Sequence, residues 1–160
     1  MAPYHMQKSE CEIHDPDMIQ EILQHGKYLT LALCRNDEPY VLTLSYGYDA
    51  DQNALYFHTA PQGLKIAFIR ENPAACGTIV DDMGYQQGEC AHAYRSVVFR
   101  GQVEILDDVE EKQHGLHVLI DHLENDPSIM KKRLLTRENV YQRTAILRLK
   151  IQAITGKTGQ

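Results

Sequence analysis

Between Ala54 and Lys65 the chain reads ALYFHTAPQGLK, and this order of residue types is that of an anion seat. A short alternating stretch ends in His58 and Thr59. A turn holding Pro61 and Gly63 follows, and Lys65 precedes the apolar run Ile66 to Ile69. A helix starting there exposes unpaired backbone N–H groups and the positive end of its dipole. Thr59 adds a hydroxyl donor, Gly63 lets the backbone come close, and Lys65 supplies a full charge. By itself the pattern calls for an anion without saying which.

Other constellations are weaker. His114, His117 and His122 tempt a metal reading, but on a helix they spread over roughly 140° of surface. That is too wide for one ion, so they are read as solvated. Cys11-x-x-His14 and Cys90-x-His92 lack the paired knuckle of a zinc site, and no metal is expected. No Ser-His-Asp or Cys-His order stands out, and GxSxG is absent. His58 is balanced between a structural hydrogen bond and a ligand contact. Arg95 and Ser96 open a long strand and read as solvated. Thr43 and Ser45 share one strand face opposite an apolar one, as on the outside of a barrel.

The elements that must position these residues alternate in period. Asp15-Pro16 opens a helix with an apolar stripe of Met18, Ile19, Ile22 and Leu23, and Gly26 closes it. Period-2 patterns then mark strands around Leu29 to Leu33, Leu42 to Tyr48, Leu55 to Phe57, Ala75 to Val80, Arg95 to Leu106 and Ala145 to Ile151. Arg35-Asn36-Asp37-Glu38 and Asp49 to Asn53 read as hairpin turns, and Asp81 to His92 as a loop. A helix from Gln62 to Glu71 is apolar nearly all round: Leu64, Ala67 and Phe68 make one face, with Ile66 and Ile69 away from it. Two apolar faces predict double burial, and hence a dimer. A further helix follows Asp107, with Val109, Leu116, Leu119, Ile120 and Leu123 on one face. The expected fold is mainly β (α+β), a small antiparallel barrel with peripheral helices.

Composition bounds the partners. A length of 160 residues predicts one domain spanning 1–160, with 43% apolar and 24% charged residues. A net charge of -6 and no basic cluster exclude a nucleic-acid footprint. No apolar run is long enough to span a membrane, and MAPYHMQKSECEIHD holds no hydrophobic signal core, so a cytoplasmic protein is expected. The four cysteines have no framework spacing and read as reduced thiols. Cys34 and Cys76 are expected in the core, while Cys90 lies in a polar stretch beside His92.

Taken together, PYVLTLSYGYD, LYFHTAPQGLK, ENPAAC, YRSVVFRGQVEIL and a closing ITGK resemble the FMN-binding split-barrel flavoproteins related to pyridoxamine-phosphate oxidase. The similarity runs from Asp15 to Lys157 and is greatest to the nitroimidazole-resistance (Nim) type. The resemblance implies a six-stranded antiparallel split β-barrel of Greek-key type, a homodimer, and FMN in the groove between subunits. It implies that Thr43, Leu44 and Ser45 lie along the isoalloxazine and ribityl chain. His58, Thr59, Gly63 and Lys65 would surround the phosphate, and Tyr94, Arg95, Ser96 and Val97 would form a second wall. The chain departs from the vitamin oxidases: it has no Trp, lacks their C-terminal Trp- and Arg-containing segment, and carries Leu64-Lys65 where they have an Arg-Lys pair. Vitamin oxidation is therefore disfavoured. The expected function is reduction of small nitro-aromatic or similar electron acceptors, with His58 as the catalytic residue. The alternatives are a flavin carrier without its own substrate, or a split barrel holding haem or a deazaflavin.

Overall fold

Alternation is what builds the sheet. In β2 (Tyr28–Arg35), Leu29, Leu31 and Leu33 are buried while Tyr28 stays exposed. Asn36 and Asp37 both take positive φ, 47° and 65°, so a two-residue turn returns the chain as β3 (Glu38–Ser45). The structure, a computed structural model, describes residues 6–135 and 138–159, with the backbone alone at 138 and 139.

Among the described residues there are eight strands. β1 (Glu12–Ile13), β4 (Gly47–Asp49), β5 (Ala54–Thr59), β6 (Ala74–Gln86), β7 (Ala91–Ile105) and β8 (Ala145–Gly159) complete the set. All pairings are antiparallel, in the order β3-β2-β6-β7-β8-β5-β4, with β1 on the far half of β8. β3 and β4 lie at opposite edges of this order yet only Tyr46 separates them in the chain. The sheet must therefore curl until its edges meet, while no ladder joins them: a split barrel. Curvature is set where β7 pairs with β8, by a register shift at Arg100/Gly101. A Cβ on Gly101 would sit 2.1 Å from the Lys150 carbonyl oxygen, so only glycine allows that approach.

Inside the curl, Tyr46, Phe57, Phe68 and Phe99 are fully buried. α1 (Pro16–His25) closes the barrel, and its Leu23 carbonyl accepts a 2.7 Å hydrogen bond from the Tyr46 hydroxyl. α2 (Leu64–Glu71) is anchored by Phe68, whose ring lies 5.1 Å from that of Tyr40 and beneath the Arg35 guanidinium at 4.4 Å. After it, the Asn72 amide donates to the Cys34 carbonyl and its oxygen accepts from Ala74 N–H. A second, smaller core lies outside the barrel, where α3 (Val109–Leu123) sets Leu116, Leu119 and Ile120 against Tyr56, Leu106 and Ile146. Arg148, only 8% exposed, ties this region together by hydrogen bonds to Glu104 at 2.8 Å and Glu111 at 2.9 Å.

The six expected strands are present, and the differences are local. β1 is too short to show period 2, and β4 breaks from β3 at Tyr46. Residues 81–92 form a β-ribbon rather than a loop: Tyr85 pairs with His92, a bulge lies between Asp82 and Gly84, and His92 bonds Asp82 at 2.7 Å. β8 continues through ITGK to Gly159, and the polar connection before it holds α4 (Pro127–Leu134) and α5 (Glu138–Arg143). Cys34 is exposed and Cys76 half-buried, because both fall on the outward parity of their strands, so the expected core packing is corrected. The α2 faces are also corrected: Ile66, Phe68 and Ile69 are buried together and Leu64 is 53% exposed. Among the described residues no helix is long and apolar enough to cross a membrane.

Candidate functional site

The turn after β5 delivers an open helix start. Gly63 stands at φ +125° and ψ 178°, a region essentially restricted to glycine, and a Cβ there would meet nothing within 4 Å. α2 then begins with no side-chain cap. α1, α3 and α4 each receive one, from Asp15, Asp108 and Asp126. The first-turn N–H groups of α2 are left for solvent or a ligand. Lys65, in that turn, is half-buried and has no hydrogen bond or ion pair among the described residues. Thr59 ends β5 and is half-buried. Thr59, Gly63 and Lys65 thus lie along the short turn that leads from the end of β5 into the uncapped start of α2.

A second group lies on the outer face of the sheet. Thr43 and Ser45 are exposed on β3, while Leu44 between them packs toward the barrel core. Register places Thr43, Thr30, Thr78 and Val98 in one row across β3, β2, β6 and β7. Ser45 with Tyr28, and Val80 with Ser96, follow on the same face. That face exposes large apolar side chains: Tyr28 at 66%, Val41 at 61% and Val80 at 56%.

The β7 segment divides. Tyr94 and Ser96 point outward with Val80 and Thr78, half-buried, whereas Arg95 and Val97 have the opposite parity. Val97 is 0% exposed in the core, so the expectation that it lines a cofactor wall is corrected. Arg95 is held by Asp81 at 2.6 Å and by Glu21 of α1 at 3.1 Å. Hydrogen bonds to those two carboxylates raise its already high pKa. It is a latch between α1 and the sheet.

His58 also parts from its neighbour. Strand alternation turns it away from Thr59, onto the face shared by Ala54 and Tyr56. There it lines a cavity of about 330 Å³ walled by α3, α4 and α5. This cavity was not foreseen, although the parity of Tyr56 and His58 and the apolar stripe of α3 were legible signals for it. The other histidines on α3 are not all solvated: His114 bonds Asp49 at 2.7 Å, and only His117 is a plain surface residue. His122 is half-buried, accepting from Tyr48 N–H at 3.4 Å and donating to the Gly26 carbonyl. Among the described residues no three His, Cys, Asp or Glu side chains converge as a metal site would require.

The fold agrees with what comparison finds. Residues 15–158 match the family model described as pyridoxamine 5'-phosphate oxidase, and the chain belongs to that family. A candidate 5-nitroimidazole antibiotic resistance protein from Bacteroides thetaiotaomicron superposes with a TM-score of 0.78 at 23% identity, covering 98% of this chain and 96% of that one. A flavocytochrome from Azotobacter vinelandii gives 0.79 at 18% identity over 97% and 72%. A FAD- and heme-binding protein from Mycobacterium smegmatis gives 0.78 at 18% identity over 93% and 73%. At these identities the likeness is one of fold. An uncharacterized protein of Rhizobium meliloti (strain 1021) is 28% identical over 109 residues, which span 68% of this chain but only 61% of that relative.

Proposed function

We propose that the chain is an FMN-dependent oxidoreductase that works as a homodimer on small aromatic acceptors, nitro-aromatics among them. The observation that carries this reading is the start of α2, where an uncapped helix end, an open Gly63 and a Lys65 with no partner among the described residues coincide. Unpaired N–H groups and an ammonium suit a phosphate. The neighbours named for flavin and heme binding and for nitroimidazole resistance support a flavin as its bearer.

Bound flavin would supply the electrons or hydride, which no side chain of this protein can. Lys65, Thr59 and the α2 N–H groups hold the phosphate, and Gly63 keeps the approach clear. Thr43 and Ser45 lie on the exposed face of edge strand β3 and reach the ribityl chain and ring edge. A second copy packs on the outer face that bares Tyr28, Val41 and Val80, excluding water and bringing Tyr94 and Ser96 to the site as its other wall. His58 faces away from Thr59 and is no phosphate ligand; to give the acceptor a proton it would have to meet it in the cavity on the α3 side of β5.

Steady-state assays with reduced nicotinamide, FMN and a panel of acceptors test this. The wild type is expected to turn over nitro-aromatics. His58→Ala should keep its flavin but slow turnover by about 100-fold, the usual scale for loss of a general acid. Equal rates would remove His58 from the chemistry. A flavin-loaded wild type that turns over no acceptor would be a carrier instead.

A further inference from the structure

The cavity beside His58 has no counterpart in the phosphate seat or the outer sheet face, and its construction is that of a ligand pocket. Its walls are Leu116, Leu119 and Leu123 of α3, Met130 and Leu134 of α4, and Val140 of α5. Three polar side chains interrupt this lining: His58 from β5, Glu124 just past α3, and Thr144 just before β8. At about 330 Å³ it falls within the range of small-molecule sites, which are mostly apolar with a few convergent polar groups. Its mouth opens to solvent at the exposed His58 and Glu124, and a fitted hydrophobe would remove its apolar wall from water. The surrounding cluster is otherwise well filled: Tyr56, Leu106 and Ile146 are each 1% exposed. The gap is therefore confined to the space between α3, α4, α5 and the end of β5. In the same cluster the Tyr141 hydroxyl of α5 is buried with no hydrogen-bond partner among the described residues.

We propose that this cavity binds a neutral, flat hydrophobe of about naphthalene size that carries one hydrogen-bonding group directed at the His58 imidazole. A volume of about 330 Å³ suits a fused or substituted ring. Glu124 disfavours an anion at the mouth, because its carboxylate would face a second negative charge there. The imidazole both donates and accepts, so a hydroxyl or carbonyl on the ring satisfies it. This inference rests on the cavity and on the placement of His58, and it stands without any flavin.

The test is calorimetric titration of 2-naphthol into the full chain, as purified and again after saturation with FMN, with flavin content read from the visible spectrum. Saturable binding of one naphthol per chain is expected in both. Leu123→Trp and Met130→Trp place a ring in the cavity from two different helices at half-buried positions. Each should weaken naphthol at least about tenfold while flavin content stays at the wild-type level. His58→Ala should weaken naphthol several-fold and leave naphthalene, which lacks the hydroxyl, unchanged. No saturable heat, or wild-type affinity in either folded filling variant, overturns the proposal. Naphthol bound without any flavin uptake would remove the flavin reading and keep this one; flavin uptake without naphthol would do the reverse.

Discussion

α2 and α3 begin in opposite ways. At α3, Asp108 accepts hydrogen bonds from the N–H groups of Glu110 and Glu111 at 2.9 and 3.0 Å, and two acidic residues fill the first turn. That end is complete, with its dipole already answered by the chain's own charges. At α2 the corresponding position is Gly63, no side chain caps the turn, no acid lies in it, and Lys65 adds positive charge to the positive dipole end. The difference separates a helix end that the chain satisfies itself from one whose first-turn N–H groups are left to solvent or to an anion. The far end of α3 extends the contrast, because His122 closes it against Gly26 and Tyr48, with its ring 4.8 Å from that of Tyr46.

The comparison can be broken first at Lys65. Lys65→Glu should reduce FMN affinity by about 100-fold or more, given the strength of charge-assisted hydrogen bonds and the added repulsion. Its melting temperature without flavin should change little. Flavin-fluorescence titration and calorimetry read the two effects separately. At α3 the outcome should invert: Asp108→Ala costs about 1 kcal/mol of stability, or about 3 °C in a chain of this size, with FMN affinity unchanged. A loss of flavin binding in this variant would erase the distinction between the two helix ends.

The smallest effect concerns His122. Burial pushes its pKa below the usual histidine value, and nearby Lys27 acts in the same direction, while the bond to the Gly26 carbonyl opposes both. The Tyr48 N–H can only donate and the Gly26 carbonyl only accept, so the neutral ring with the proton on Nε2 satisfies both partners. The unfolded chain takes up a proton near pH 6.5, before the folded one does. The contribution of His122 is therefore intact above that pH and declines as the pH falls from there through the lower folded value. Denaturant unfolding at about pH 7 and about pH 5 should show a drop in stability that is smaller in His122→Gln. An equal drop in both would mean that His122 is not the group responsible.

Much of this contrast was legible before the structure. Asp15-Pro16 marks a capped helix start, and the sequence from Ala54 to Lys65 marks a helix start suited to an anion. Local patterns of this kind are decided within a few residues, so they survive tertiary packing. Facing was harder. The resemblance makes Tyr94 to Val97 one wall, yet strand alternation sends Val97 into the core and Arg95 toward Asp81 and Glu21. The resemblance sets His58 and Thr59 together around the phosphate, but neighbours on a strand point to opposite sides. Residue type assigns Cys34 and Cys76 to the core, but Leu31 and Leu33 set Cys34 on the outward parity of β2, and Ala75 and Ile79 set Cys76 on that of β6. The ribbon at 81–92 is a local hairpin, with Gln86 paired to Ala91 and Tyr85 to His92, but its polar, glycine-broken sequence shows no period of two. The cavity beside His58 needs α3, α4 and α5 packed on the end of β5, of which only the parity of β5 and the stripe of α3 can be read locally.

The most direct test of the open helix end compares FMN with riboflavin, which has the same ring and lacks the phosphate. Titrated into the purified full chain and followed by flavin fluorescence, FMN should bind at least about tenfold more tightly, as one charge-assisted phosphate site requires. Equal affinity for the two, or no binding of either, would contradict the assignment of α2 as the phosphate seat.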